Sequence, residues 1–201
     1  MAAQTNPLID DELVDFLLYS VLDAEALCEL EPYAQHSRET FDMYIDSVRR
    51  FSRQDLLPTY KPMDEKPPVF RDGRIHTHEA LPALYDAMIE LGVLTATRPE
   101  SVGGQQMPML VHTLASAYLM AANLGAYGFV GLTHGAAHLI EAFGSEELKA
   151  RFMEKMYAGE WTGTMALTEP HAGSSLGDIT TTAKPTEEGY YLVKGSKIFI
   201  S

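Results

Sequence analysis

The sequence predicts an α+β protein: an all-α amino-terminal helical domain over about residues 1–160, then, over 161–201, the first strands of a β-barrel-like middle domain. Apolar residues recur at helical spacing as far as Tyr157. Strand-like runs replace them from Trp161 onward, and clusters of Pro, Gly and Ser separate the periodic stretches.

Taken in order, Leu13, Phe16, Leu17, Val21 and Leu22 predict a helix from Asp10 to about Glu29, with Asp10 and Asp11 to cap and charge-match its first turn. Ser37 opens a second helix whose stripe of Phe41, Tyr44, Ile45, Val48 and Phe51 ends before Pro58. The proline-rich stretch from Pro58 to His76 reads as a loop crossing the surface. Thr77 caps the next helix, Leu81, Leu84, Met88 and Leu91 mark its buried face, and Gly92 ends it. A turn follows at Ser101-Val102-Gly103-Gly104.

Pro108 then suits the first turn of a helix running to about Asn123, with Leu110, Leu114, Tyr118 and Met120 in a nearly all-apolar set that places it centrally. Two more helices are predicted, Leu132 to Phe143 and Ser145 to Tyr157, the latter capped by Ser145, fronted by Glu146 and Glu147 and closed by Gly159. Strands are predicted at Trp161 to Leu167, Asp178 to Ala183, Tyr190 to Val193 and Lys197 to Ile200. So few strands make a marginal sheet, and the last run stops without a turn, so the expectation is a truncated middle domain.

The chain of 201 residues is long enough for a sizeable core, and its 46% hydrophobic and 21% charged residues suit a packed, soluble domain. A formal charge of −13 argues against a nucleic-acid partner, which needs basic patches. Cys28 is the only cysteine, so no intrachain disulfide is possible, and the expected location is a reducing compartment, the cytoplasm. Met1 to Asn6 lacks the pattern of a secretory signal, and no uninterrupted apolar run reaches spanning length, so no membrane insertion is expected.

The informative segment is Met165-Ala166-Leu167-Thr168-Glu169-Pro170-His171-Ala172-Gly173-Ser174-Ser175. An apolar strand runs into Thr168, Pro170 forces a turn, and small residues let the backbone approach a ligand closely. Successive N–H groups in such a turn form a nest for an anion such as a pyrophosphate. Read alone, the segment is equally a polar turn at a strand end. Phe199 and Ile200 are equally core strand residues.

The order of these residues resembles the signature of the acyl-CoA dehydrogenase family. There a strand leads into Thr-Glu-Pro, then Gly-Ser, then a return strand and a second strand ending in Gly-x-Lys-x-(Trp or Phe)-Ile-(Ser or Thr). The second part stands here as Gly195-Ser196-Lys197-Ile198-Phe199-Ile200-Ser201. Pro99-Glu100-Ser101-Val102-Gly103-Gly104 and Phe143-Gly144-Ser145-Glu146-Glu147-Leu148-Lys149 also match the family's layout, so the resemblance covers nearly the whole chain.

The resemblance implies an FAD cofactor and oxidation of an acyl-CoA thioester to the 2-enoyl-CoA. It implies that Met165, Ala166 and Leu167 lie against the isoalloxazine and that Thr168 hydrogen-bonds its pyrimidine edge. Gly173 and Ser174 would face the FAD pyrophosphate, with Ser174 also near the acyl-CoA, and Phe199, Ile200 and Ser201 would lie on the flavin's other side. The base, a Glu, is expected in a carboxyl-terminal helical domain absent from this chain, so no residue here is named catalytic and the fragment alone is expected to be inactive. Glu169 belongs to the turn shaping the flavin site. A homo-oligomer is implied for the full-length protein, with electron-transfer flavoprotein as acceptor.

Two positions depart from the pattern: Ser175 stands where the family usually has Asp, and His171 where it has a small residue. Together with the long amino-terminal stretch, they resemble the larger branch of the family that includes methylmercaptopropionyl-CoA dehydrogenases. His134 and His138, four apart on one helix, have the spacing of a metal pair but lack an acidic or Cys partner, so packing or pocket lining is the reading preferred and no metal is assigned. Two other classes stay open at this level: a flavin oxidase or monooxygenase on the same fold, and a non-catalytic helical interaction module whose sheet another chain completes.

Overall fold

The computed structural model describes residues 9–201, so the reading of Met1 to Asn6 and the start of the helical domain lie outside the described residues. Asp10 caps α1 (Asp11–Asp15), its carboxylate accepting from the N–H groups of Glu12 and Leu13. The helix continues as a π-helical turn over Phe16–Val21 and stops there; Asp23, at φ +46°, starts a separate 3₁₀ segment, Ala24–Glu29. The single helix to Glu29 is therefore corrected, and so is its face. Val14 and Leu18 are buried, whereas Leu13, Phe16, Val21 and Leu22 are about half exposed. The buried face is the one that carries Val14 and Leu18, and the π turn inserts an extra residue into the repeat beyond it, ahead of Val21 and Leu22.

Helix α2 (Arg38–Phe51) follows the prediction closely. Ser37 and Thr40 form a reciprocal capping box, and Phe41, Tyr44, Ile45, Val48 and Phe51 are all buried. The helical path then runs on through a π turn (Ser52–Leu56) and a 3₁₀ turn (Leu57–Thr59) into α3 (Tyr60–Glu65). Pro58 sits in the first turn of the 3₁₀ segment, where its missing N–H costs nothing. The predicted loop thus contains a helix, and also an exposed hairpin of β1 (Val69–Arg71) and β2 (Arg74–His76), paired Phe70 to Ile75. Its turn, Asp72-Gly73, has φ of +53° and +75°, the two positive values a tight hairpin demands.

Helix α4 (Leu81–Glu90) buries Leu81, Leu84 and Met88, with Leu91 half-buried and Gly92 closing it at φ +72°. Thr77 does not cap it; the His78 imidazole accepts the N–H of Ala80 instead. The helix predicted from Pro108 to about Asn123 does break there, at φ −162° and ψ 88°; a second helix resumes directly after it, earlier than the predicted Leu132, and runs to Phe143, and the two halves together are labelled α5 (Met109–Phe143). Asn123 leaves the helix and caps its second half, accepting the N–H of Ala126 at 3.1 Å. Tyr118 is buried, but Met120 is 42% exposed.

By length and composition alone α5 is long and apolar enough to cross a membrane, but it is kinked at Asn123. Half of its most apolar window is buried inside the fold, against α2 and α4. Ser145 caps α6 (Glu146–Leu148), which passes through a π turn into α7 (Glu154–Tyr157) and ends at Gly159 with φ +75°. One core running from Val14 to Val130 joins α1, α2, α4 and α5, and a satellite of Ala137, Met153, Met156 and Tyr157 seats α7.

Beyond Gly159 the backbone is extended but little of it is regular. Trp161 to Leu167 and Lys197 to Ile200 form no strands; the second is interrupted by Phe199 at φ +53°. The one sheet in this part pairs β3 (Thr182–Pro185) with β4 (Tyr191–Lys194), antiparallel and exposed throughout. β3 starts later than predicted because Leu176–Asp178 is a 3₁₀ turn. The architecture is a helical domain followed by a few short strands.

Candidate functional site

The signature segment meets the chain's final residues through its backbone. Gly163 N–H donates to Thr133 Oγ1 at 3.1 Å, and a side chain at Gly163 would meet Ala136 at 2.6 Å, so glycine lets the segment lie against α5. Two residues on, Met165 and Ser201 exchange both backbone hydrogen bonds, at 2.7 and 3.1 Å, and Ile198 N–H donates to Thr168 O at 2.9 Å. The residues expected at the flavin, Met165 to Thr168 and Phe199 to Ser201, are therefore neighbours in one extended pair.

Glu169 lies underneath. Its side chain is fully buried and accepts from Thr180 N–H (2.9 Å), Thr180 Oγ1 (2.8 Å), Thr181 N–H (3.0 Å) and Lys197 Nζ (2.9 Å). Contact with Thr181, the Thr180 N–H and the Lys197 ammonium hold its carboxyl well below the usual carboxylate range. Such a carboxylate is fixed and ionised, which suits an anchor and not a proton-transfer group. Lys197 also donates to Leu167 O at 2.9 Å. The sequence assigned Lys197, Thr180 and Thr181 no role; the lysine inside Gly-x-Lys was the signal available.

Above this anchor the surface is open. Leu167, Met165, Ile200 and Phe199 are 39%, 52%, 56% and 83% exposed, and Ala166, Gly173, Ser174 and Ser201 are exposed as well. A side chain built at Gly173 would meet nothing within 4 Å, so the turn borders free space. Several large apolar side chains left open to solvent on one backbone pair mark a segment that something covers. The His171 ring, half exposed, lies 3.1 Å from Asp178 O and 3.6 Å from Glu169 Oε2, tying the turn to the next loop.

The predicted histidine pair is packed internally. His134 Nδ1 donates to Leu94 O at 2.8 Å, and its ring centroid lies 5.9 Å from that of His138 and 6.5 Å from His112. Next to it Arg98 grips Glu141 in a bidentate pair (2.8 and 3.0 Å), to which the Tyr157 hydroxyl also donates. Burial opposes ionisation of Glu141, but Arg98 and Tyr157 outweigh it and hold its pKa down. Among the described residues no group of three His, Cys, Asp or Glu stands together as a metal site.

Comparison with known proteins finds a match, over residues 38–160, to the family described as acyl-CoA dehydrogenase, N-terminal domain. The chain is 33% identical over 204 residues to a butyryl-CoA dehydrogenase of Syntrophomonas wolfei, covering 99% of this chain and 33% of that protein. It is 30% identical over 173 residues to the 3-methylmercaptopropionyl-CoA dehydrogenase of Ruegeria pomeroyi, covering 86% of this chain and 29% of that one. Among solved structures, the butyryl-CoA dehydrogenase of Megasphaera elsdenii superposes with a TM-score of 0.66 at 27% identity, covering 82% of this chain and 41% of that one. The chain spans about a third of the length of these curated relatives.

Proposed function

The chain belongs to the acyl-CoA dehydrogenase family, and from that membership we propose that the protein carrying it is an FAD-dependent enzyme oxidising an acyl-CoA thioester to the 2-enoyl-CoA. The observation that supports the reading is that one extended backbone pair leaves the large apolar side chains of Met165, Leu167, Phe199 and Ile200 exposed, with open space at the Gly173 turn that follows. An isoalloxazine ring fits such a surface, since it is flat, largely apolar and polar at its edge. Bound FAD supplies the hydride acceptor.

In this reading Met165, Ala166 and Leu167 support one part of the ring system, and Phe199, Ile200 and Ser201 another. Thr168 offers its hydroxyl to the pyrimidine edge, and Gly173 and Ser174 border the pyrophosphate, Ser174 also the acyl-CoA. A fixed hydroxyl at that edge favours negative charge where it develops. The chain from residue 161 opens the β middle domain, barrel-like when whole, and the helical domain reaches to about residue 160. Electron-transfer flavoprotein is the proposed acceptor, a homo-oligomer the proposed assembly and the cytoplasm the proposed location.

The test is the visible spectrum of the full-length protein, purified and reconstituted with FAD, before and after a panel of acyl-CoAs. A bound flavin that bleaches with an acyl-CoA in the absence of oxygen supports the reading and reports the acyl class. A protein that takes up no flavin overturns it.

A further inference from the structure

Lys197 holds both sides of Thr168 at once. Its ammonium donates to the carbonyl of Leu167 on one side and to the carboxylate of Glu169 on the other, each at 2.9 Å. Thr168 is thereby gripped between two anchored neighbours, and its own carbonyl accepts the N–H of Ile198, the residue after the lysine. Glu169 meanwhile ties the pair to the start of β3 through Thr180 and Thr181. Gly195 belongs to the same assembly. A Cβ there would sit 1.9 Å from Thr181 Oγ1 and 2.7 Å from its Cβ, so only glycine lets the strand that delivers Lys197 pass over Thr181.

We infer that Glu169 and Lys197 are positioning residues that lock the register between Met165–Thr168 and Ile198–Ser201, and that the lock sets how tightly the protein holds its flavin. The inference rests on the proposed flavin site. A register slip of one residue would turn each side chain of an extended pair to the opposite face, taking Met165 and Leu167 away from the open surface. Backbone pairing here is only the Met165–Ser201 exchange and one bond at Thr168, and Phe199, in the left-handed region, interrupts the ladder. With so few main-chain bonds, register depends on the charged pair beneath. That pair is charge-assisted, and the carboxylate is shielded from water, so its bonds are the strong kind.

The lock is specific to side-chain charge and shape. Lys197→Met removes the donor and leaves a buried carboxylate with its threonine donors only; Lys197→Arg retains charge and two donors. Glu169→Gln presents an amide N–H towards groups that are themselves donors.

The experiment uses the full-length protein. Flavin affinity is measured by quenching of FAD fluorescence, and backbone hydrogen exchange of Met165 to Thr168 and Ile198 to Ser201 is measured without flavin; circular dichroism confirms that the helices remain folded. The expected result is a flavin Kd raised about 10- to 100-fold in Lys197→Met, from the loss of the ammonium and its charge-assisted bonds. Exchange at Met165 and Ser201 should quicken, and Lys197→Arg should recover most of both. The double variant with Glu169→Gln should cost no more than the worse single change, because both act through one pair. Wild-type affinity and exchange in Lys197→Met would overturn the inference. A wild-type protein that binds no flavin overturns the functional reading and removes the cofactor half of the inference, while the exchange measurement still decides whether the pair fixes the register.

Discussion

His112 sits where α2 meets α5, its Nδ1 2.8 Å from the Tyr44 hydroxyl and its Nε2 3.2 Å from Ser116 Oγ. Burial, followed by the neighbouring His134, pushes its pKa down to about 4, and burial lowers His134 too. The groups around this file are Tyr44 on α2, His138 and Glu141 further along α5, and Arg98 on the preceding loop. An unfolded chain binds a proton at an ordinary histidine near pH 6.5, and the folded one does not until far lower. The unfolded state therefore holds more protons through that window, and stability falls as pH drops from about 6.5 towards 4. His112→Gln should flatten the slope by about 1.4 kcal/mol per pH unit, the contribution of one proton. Urea melts at several pH values between 4 and 7.5 measure it; an unchanged slope would mean that His112 titrates alike in both states. Nothing in the sequence singles out His112, because its burial comes from α2, far away in the chain. The His134 and His138 pair was visible as a spacing, but only the Leu94 carbonyl explains which way His134 faces.

At the scale of elements, local signals read well and faces read poorly. The caps at Asp10, Ser37 and Ser145 depend on a few consecutive residues, and each stands where its spacing put it. The face of α1 depends on an unbroken repeat, and the π turn at Phe16–Val21 breaks it. What holds α1 down is electrostatic: the Asp11 carboxylate accepts from Arg53 and from Tyr118 Oη (2.8 Å), with Arg49 Nε at 3.4 Å. Both guanidinium groups lie over the Tyr118 ring. Burial disfavours the Asp11 charge, and Arg53, Tyr118 and Arg49 together reverse that and lower its pKa. Asp11→Ala should destabilise the protein by about 1–3 kcal/mol, since it leaves the Arg53 guanidinium without its carboxylate and the Tyr118 hydroxyl without its acceptor, while Arg49 keeps Asp15 and Asp46. Hydrogen exchange should then quicken over residues 11–21 while α2 and α5 stay protected. Equal quickening in all three would show that α1 is an integral part of the core. The hairpin at Val69–His76 is the opposite case: Asp-Gly between two short apolar runs is a strong hairpin signal, obscured here by the prolines around it.

Across the whole molecule burial is unequal. From Val14 to Tyr157 the chain builds two adjoining apolar clusters, whereas beyond Gly159 only Glu169 and Ala172 are buried. This explains why the helical domain was legible and the part proposed to face the flavin was legible only through its motif. Helical periodicity follows from a core the chain itself supplies. Strands at Trp161–Leu167 and Lys197–Ile200 need neighbours on both sides, and here each has only the other. Local opening follows the same division, because few apolar contacts oppose it after residue 160. Trypsin should therefore cut early at Lys194, which lies in an exposed strand, and spare Arg49 and Arg53, whose side chains are held in ion pairs. A ligand that binds the folded state slows such cleavage in proportion to its occupancy. FAD at saturating concentration should protect Lys194 and Lys197 in the full-length protein and leave cleavage within the exposed hairpin, at Arg71 and Arg74, unchanged. Mass spectrometry of the time course reads all of these sites together. Uniform protection would point to a global change in stability; protection confined to the end of β4 and Lys197 would locate the cofactor at the surface that Glu169 supports.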